Sequence, residues 1–278
     1  MNSISITKDL DTTYCLISDL IALLKLKTPT VGRKNSLSIG EVATISLIKA
    51  NYDITTWKGL YKLLNDKYQK EFNLPCYKNF VVTMNKYSWV LALLINILLQ
   101  INNRKSGTIK LVDSTPLPVC HNMRIWHHQT MKKFASRCKG TMGWYYGLKL
   151  HAMCDTKGNL IAIRFTTATT GDREVLDQFL DQITDSIVVA DAGYISKKLE
   201  EKAGLNNNVL KTCSRCNMRK IATLKDIGYL NMRNRIEVLF SVLKERLNIV
   251  TSLPRSTGGY FAHYIHVIFG YMFSKLIS

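Results

Sequence analysis

Proline and glycine are scarce, 5 and 15 among 278 residues, which excludes collagen-like and low-complexity chains. Long apolar runs are missing as well. The longest, Trp89 to Ile101, has thirteen residues and includes Asn96 and Gln100, whereas a membrane-spanning helix needs about 20. A buried core helix is therefore expected there, and no membrane partner. The opening residues MNSISITKDLDTTYC lack a basic patch followed by an apolar stretch, so no secretory signal is read. The seven cysteines are odd in number and scattered, which suits a reducing, cytoplasmic setting better than a disulfide framework. Cys213-Ser-Arg-Cys216 has metal-like spacing, but a structural zinc site takes four ligands. No second CxxC or HxxxH follows, and His263 and His266 could join only through the fold, so the pair is read as incidental.

Acidic residues are the other shortage. There are 20 Asp+Glu against 38 Lys+Arg, a net charge of +18. With 46% hydrophobic residues the chain can still bury a core, which excludes disorder. A surplus of that size repels itself unless a polyanion neutralises it, and nucleic acid is the commonest such partner. At 278 residues, one large domain or two modest ones are expected.

Residues 1–106 read as helical and carry 14 Lys+Arg against 7 acids. Ser38-Ile-Gly-Glu41 is a capping box opening one helix. Trp57, Leu60, Tyr61 and Leu64 recur at helical spacing in the next. After the polar linker Asn102 to Gly107 the pattern turns strand-like. Ile109 to Asp113 is a short strand ended by Thr115-Pro116. Gly143 to Asp155 alternates, with Trp144, Tyr146, Leu148 and Leu150 on one face and Tyr145, Lys149 and His151 on the other. A turn at Thr156 to Asn159 joins it to a strand at Leu160 to Thr166. Asp172 to Ile183 is an amphipathic helix with acids in its first turn. Ile187 to Ala190 is a buried strand ending at Asp191, and Val209 to Thr212 is a last short strand. Asn231 to Leu247 reads as one long helix burying Ile236, Phe240, Leu243 and Leu247. The expectation is an α/β fold, a mixed sheet flanked by helices, with domains at 1–106 and 107–278.

Three acids stand at special places. Asp113 and Asp191 each end an apolar strand, where a carboxylate is poorly solvated and seeks a cation. Glu237 lies in the basic helix RNRIEVLFSVLKER. If the two strands are neighbours and the helix packs beside them, the three converge into a hard oxygen site for Mg²⁺ or Mn²⁺. Two such ions can drive phosphodiester chemistry. A plainer reading stays open: two acids that terminate strands, and a Glu237–Arg233 pair one helical turn apart. Arg233, Glu237, Ser241 and Lys244 fall on one helical face, where the cations could hold phosphates or merely be solvated. From Ser114 to Cys154 there is no acid, against Arg124, Lys132, Lys133, Arg137, Lys139 and Lys149. A surface gripping a nucleic-acid backbone would look like this. Trp126, Trp144, Tyr145 and Tyr146 interleave with that block and could stack on unpaired bases or belong to the core.

LVDSTPLPVC, GWYYGLKLH, VVADAGY and RNRIEVLFSVLKERLNIVTSLPRSTGGYFAHYI, in that order from about residue 108 to 270, resemble the DDE-type transposases of bacterial insertion sequences, most closely the insertion sequence 982 family. The resemblance implies an RNase H-like catalytic domain with Asp113, Asp191 and Glu237 as catalytic, metal-binding triad and two Mg²⁺ or Mn²⁺ ions. In related transposases a Tyr-(2)-Arg-(3)-Glu-(6)-Lys signature surrounds the glutamate. Arg233, Glu237 and Lys244 fit it, but Leu230 stands at the tyrosine position and Tyr229 one residue early. Lys149 and His151 match an LKxH strand near the active site, so these two, with Arg233 and Lys244, are expected to contact DNA. The activity implied is cut-and-paste transposition: cleavage of the element's ends, then joining of the 3′-hydroxyl to target DNA. The implied partners are terminal inverted repeats read by the N-terminal helices, target DNA, and a second copy of the chain in a homodimer or larger assembly in the bacterial cytoplasm. The alternatives are an RNase H-like nuclease or resolvase without strand transfer, and an inactive DNA-binding derivative.

Overall fold

The computed structural model describes residues 3–25, 36–140, 143–212 and 224–277. The chain divides into two compact units. The first comprises Met1–Asn96, Arg246–Ile249 and Thr257–Ser278, the second Ile97–Glu245 and Val250–Ser256. This grouping differs from the division at 106/107 read from the sequence, at Asn96 and at the C-terminus. Helix Thr257–Ile277 belongs with the N-terminal helices because it packs along Ile39–Asn51.

In the helical unit, α1 (Ser3–Leu23), α2 (Ile39–Asn51), α3 (Trp57–Lys67), α4 (Tyr77–Lys105) and α9 (Thr257–Ile277) follow the apolar periodicity. The capping box at α2 forms as expected: Glu41 N–H donates to Ser38 Oγ at 3.2 Å, and Ser38 N–H donates to Glu41 Oε2 at 2.6 Å. α2 is buried almost all round, the mark of a central helix. Its Val42, Ile45 and Ile48 pack with Leu60, Leu64, Phe80, Met84 and Val90. α9 comes so close that a Cβ on Gly270 would lie 2.7 Å from that of Ala50. Among the described residues, α4 is the one helix long and apolar enough to cross a membrane, but Phe80, Met84, Tyr87 and Val90 on it sit in this core. His263 and His266 are satisfied core residues, not metal ligands. His266 joins Ser46 Oγ at 2.7 Å and the Met84 carbonyl at 3.0 Å, and His263 Nε2 meets the Asn248 carbonyl at 2.9 Å.

The second unit is built on six strands: β1 (Ile109–Cys120), β2 (Ser136–Gly140), β3 (Gly143–Asp155), β4 (Leu160–Thr167), β5 (Ile187–Ala190) and β6 (Val209–Thr212). β3 lies between β1 on one side and β2 with β4 on the other, all antiparallel. β5 runs parallel to β1, and β6 parallel to β5. The order β4-β3-β1-β5-β6, antiparallel at the first two junctions and parallel at the last two, is that of an RNase H-like sheet. α5 (Asp172–Leu180) and α6 (Lys197–Leu205) cover one face through Val175, Leu176, Phe179 and Leu199 against Val112, Met153 and Val188. α7 (Leu224–Asn231) and α8 (Asn234–Ser241) complete the unit.

Two expectations change. β1 continues through Pro116 and Pro118 to Cys120. β5 pairs only with Ile109 to Leu111, so beyond Leu111 there is no β1–β5 ladder for a residue without N–H to break. β3 does not alternate buried with exposed, because a strand in mid-sheet covered on both faces loses that period: Tyr145, Tyr146, Leu148, Leu150 and His151 are all buried. β1 and β3 press together hard enough that a Cβ on Gly147 would lie 2.1 Å from the Leu117 carbonyl oxygen.

Candidate active site

The register of the sheet brings two of the predicted acids together. In the parallel pair, Ile109 faces Ile187 and Leu111 faces Val189. Two residues further on, Asp113 and Asp191 stand at matching levels and on the same face, since side chains alternate with period two. Asp113 is thus within β1, not at its end, but it lies just beyond the reach of β5 and so at the sheet's open crevice. Its Oδ1 accepts the Ser114 N–H at 2.8 Å, while Asp191 Oδ1 accepts the Ala192 N–H at 2.6 Å. Burial pushes the Asp113 carboxyl up to about 6, against the opposing pull of that N–H and of Arg233. Asp191 does not match the expectation of a poorly solvated carboxylate, being 53% exposed.

The third acid arrives with Arg233 in front of it. Arg233 is the N-cap residue of α8, and its guanidinium reaches all three carboxylates. Nη2 lies 3.6 Å from Asp113 Oδ2 and 3.8 Å from Glu237 Oε1, and Nη1 lies 3.5 Å from Asp191 Oδ1. Glu237 follows one turn later, so the pair that the plainer sequence reading invoked exists as one edge of this larger arrangement. Among the described residues no group of three or more His, Cys, Asp or Glu is gathered as a ready metal site; here a cation of the chain itself stands among the acids. The donor set nonetheless fits a hard divalent ion: oxygen ligands only, arranged about a positive charge.

Lys149 and His151 are turned into the protein, toward Asp172. Lys149 Nζ donates to the Thr170 carbonyl at 3.1 Å and contacts Asp172 Oδ1 at 3.2 Å. His151 is 1% exposed, with Nε2 2.9 Å from Thr166 Oγ1 and Nδ1 3.5 Å from Asp172 Oδ1. Burial lowers its pKa to about 4, so the ring is neutral at pH 7 and the longer contact is not an ion pair. These two residues were expected to contact DNA; central-strand burial turns them instead to Asp172 at the start of α5. The sequence pattern marks Asp172 only as a helix-dipole acid, and the basic pair spaced two apart on one strand is the signal that it has partners there. Tyr194, four residues beyond Ala190, is buried beside the same residues. Its phenol is held above the usual range by burial, and further by the charges of Asp172, Asp113 and Asp191.

Lys244 also departs from its predicted place. Val242–Arg246 is a π-helical turn, whose i→i+5 bonding breaks the α-helical spacing that aligned Lys244 with Glu237. The long helix read from Asn231 to Leu247 is divided again at Met232–Arg233, between α7 and α8, although Ile236, Phe240, Leu243 and Leu247 are buried as expected. Burial lowers the pKa of Lys244. Cys213 and Cys216 lie outside the described residues.

Compared with protein families, residues 103–257 match the model described as "Transposase DDE domain". No curated protein matches the chain. Among solved structures it is similar to a piggyBac transposase synaptic complex with hairpin DNA, at 10% identity and TM-score 0.48, over 98% of this chain and 73% of that one. It is also similar to the Mos1 transposase in a paired-end complex with left transposon end and in a pre-cleavage transpososome. Both are 11% identical, over 90% of this chain and 82% of theirs, with TM-scores of 0.29 and 0.25.

Proposed function

The chain belongs to the transposase DDE domain family, and from that membership we propose that it cleaves the ends of an insertion sequence and joins the freed 3′-hydroxyls to target DNA. The observation that carries the reading is the convergence of Asp113, Asp191 and Glu237 on one cation. These three residues would hold a pair of Mg²⁺ or Mn²⁺ ions. When bound, such a pair supplies an activated water or 3′-hydroxyl and stabilises the leaving oxygen.

The chain's own residues do the rest. Asp113, half-buried within β1, sets the position of the site. Asp191, more exposed and held by the Ala192 N–H, and Glu237, on α8, face it from the side open to solvent, where a DNA strand can enter. Lys149 and His151 hold Asp172, so they would position the site rather than grip the strand. Arg233 neutralises the acids in the resting protein and, were a divalent ion to take its place among them, would be the nearest cation to an incoming phosphate. Lys244, one helical segment further along, is a second phosphate partner. The basic residues from Arg124 to Lys139 give a backbone-gripping surface on the same unit. The helical unit would read the inverted repeats, and joining two ends requires at least two copies of the chain.

The test is cleavage of a labelled element end. Asp113→Asn, Asp191→Asn and Glu237→Gln each lose nicking in Mg²⁺ and Mn²⁺ while binding DNA within about twofold of wild type. Full activity in any of them removes that residue from the triad. A pre-cleaved end separates strand joining from simple nuclease action: nicking without any joined product would leave a nuclease.

A further inference from the structure

Four aromatic residues interleave with the acid-free stretch, and the structure separates them. Tyr145 and Tyr146 are buried, whereas Trp144 is 52% and Trp126 85% exposed. Trp126 lies on a 3₁₀ turn, Asn122–His127, between β1 and β2. Met123 on the same turn is 83% exposed. The turn is not a loose tip. Asn122 Nδ2 donates to the Trp144 carbonyl at 2.5 Å, His121 Nδ1 accepts the Met123 N–H at 3.4 Å, and Met131 just beyond is fully buried. A well-anchored segment therefore presents Met123 and Trp126 together to water, three residues apart on one face of a 3₁₀ turn, and a rigid exposed apolar patch of this kind marks an interaction site.

Charge decides what that is. Arg124, Lys132, Lys133, Arg137 and Lys139 surround the turn in sequence and are exposed, with no acid from Ser114 to Cys154. Arg137 stacks over Trp144 with its guanidinium carbon 4.8 Å from the ring. A second copy meeting this face symmetrically would set the same cations against one another, so the complement is a polyanion. A duplex buries its bases and offers an exposed indole little to stack on. Unpaired DNA offers every base face to an aromatic ring alongside the same phosphates.

We propose that the Trp126 turn is a binding site for unpaired DNA, with the Trp126 indole stacking on a base and the flanking cations holding the backbone. β1 carries the chain from the acids toward this turn: seven residues separate Asp113 from Cys120, roughly 23 Å at about 3.3 Å per residue, and Trp126 lies beyond that end on the Asn122–His127 turn. The inference rests on DNA being the substrate, but not on the identity of the acid triad.

The experiment is anisotropy with the full chain in EDTA, using three labelled probes of one length: a blunt duplex, a duplex with a splayed seven-nucleotide end, and a single strand. Wild type binds the splayed probe more tightly than the blunt one. Stacking is worth about 1–3 kcal/mol per base, so Trp126→Ala weakens splayed and single-strand binding by roughly 5–150-fold and the blunt duplex by less than about twofold. Trp126→Phe keeps most of the preference. An exposed residue can be removed without unfolding the protein, and circular dichroism verifies this. The proposal is overturned if Trp126→Ala keeps the splayed-end preference, or if it loses affinity equally for all probes. It is also overturned if the variant's defect is instead in self-association or in binding phosphatidylglycerol vesicles. Failure of every DNA probe to bind wild type would instead remove DNA as substrate.

Discussion

Removing the Arg233 guanidinium is the most direct perturbation of the acid cluster. One cation touches three carboxylates at 3.5–3.8 Å, and under the proposed reading a divalent ion would have to compete with it. At such distances a unit pair is worth about 4–5 kcal/mol with an effective dielectric of 20, before desolvation and screening. Exposure decides how much survives. Asp191 and Glu237 are 53% and 57% exposed, so each contributes no more than a surface pair, under about 1 kcal/mol. The Asp113 pair, with both partners mostly buried, gives about 1 kcal/mol more. The sum, about 2 kcal/mol, is what an incoming ion must displace, and at about 1.4 kcal/mol per tenfold it corresponds to roughly 30-fold in affinity.

Arg233→Ala should therefore bind Mn²⁺ roughly 30-fold more tightly than wild type in the absence of DNA, read by titration calorimetry or by the signal of free Mn²⁺ in electron paramagnetic resonance. Arg233→Lys, whose ammonium is a point charge without the fork that reaches three partners, should fall between. Without metal the same Ala variant leaves three acids facing one another and should melt several degrees lower, a difference that added Mn²⁺ reverses. Asp113→Asn serves as the control and should lose the high-affinity binding in either background. Unchanged or weaker Mn²⁺ binding in Arg233→Ala, with the Asp113→Asn control still sensitive, would refute the competition argument and leave Arg233 as a purely structural partner of the acids.

Two further predictions concern residues that the sheet and the helical core bury. Burial depresses the pKa of His266 to about 3 and that of His263 to about 4. Both stay neutral in the fold while the unfolded chain protonates below about 6.5, so stability is complete above that pH. It then declines by up to about 1.4 kcal/mol per pH unit for each ring as pH falls toward 4. Denaturant midpoints between pH 7 and 4.5 measure this, and His266→Gln should remove one ring's share of the slope; an unaltered slope would contradict it. Lys149 is engaged with Asp172 and the Thr170 carbonyl, so Lys149→Met should leave the salt dependence of DNA binding unchanged. The exposed pair Lys132→Ala and Lys133→Ala should each flatten it by about one unit, and equal flattening by Lys149→Met would return that residue to the DNA surface.

What could be read without coordinates divides along a physical line. Features set by local sequence came through: the Ser38–Glu41 capping box, the hairpin around Asn159, and the apolar stripe Ile236, Phe240, Leu243 and Leu247. The register of neighbouring strands needed only one assumption, that the strands bearing Asp113 and Asp191 pair, because parallel strands ending at one level must bring equivalent positions together. Tertiary context was what the pattern could not encode. The alternation in Gly143 to Asp155 looks like a half-exposed strand, yet a central strand is covered on both faces, so Lys149 and His151 turn inward to Asp172. Pro116 reads as a strand end, yet it is tolerated because β5 is shorter than β1 and its ladder ends at Leu111. The same short β5 makes the crevice in which the acids stand, so the feature that misled the strand boundary is the one that creates the site. Likewise Arg233 and Lys244 share a heptad-like spacing with Glu237, but the break before α8 and the π turn after it separate them. One becomes the cation at the centre of the acids, and the other is carried along the helix. A basic residue one or two turns from an acid is therefore evidence of proximity only where the α-helical spacing continues between them. It does from Arg233 to Glu237, an i,i+4 pair, and the π turn at Val242–Arg246 interrupts it before Lys244, so the first cation neutralises the acids and the second is set apart from them.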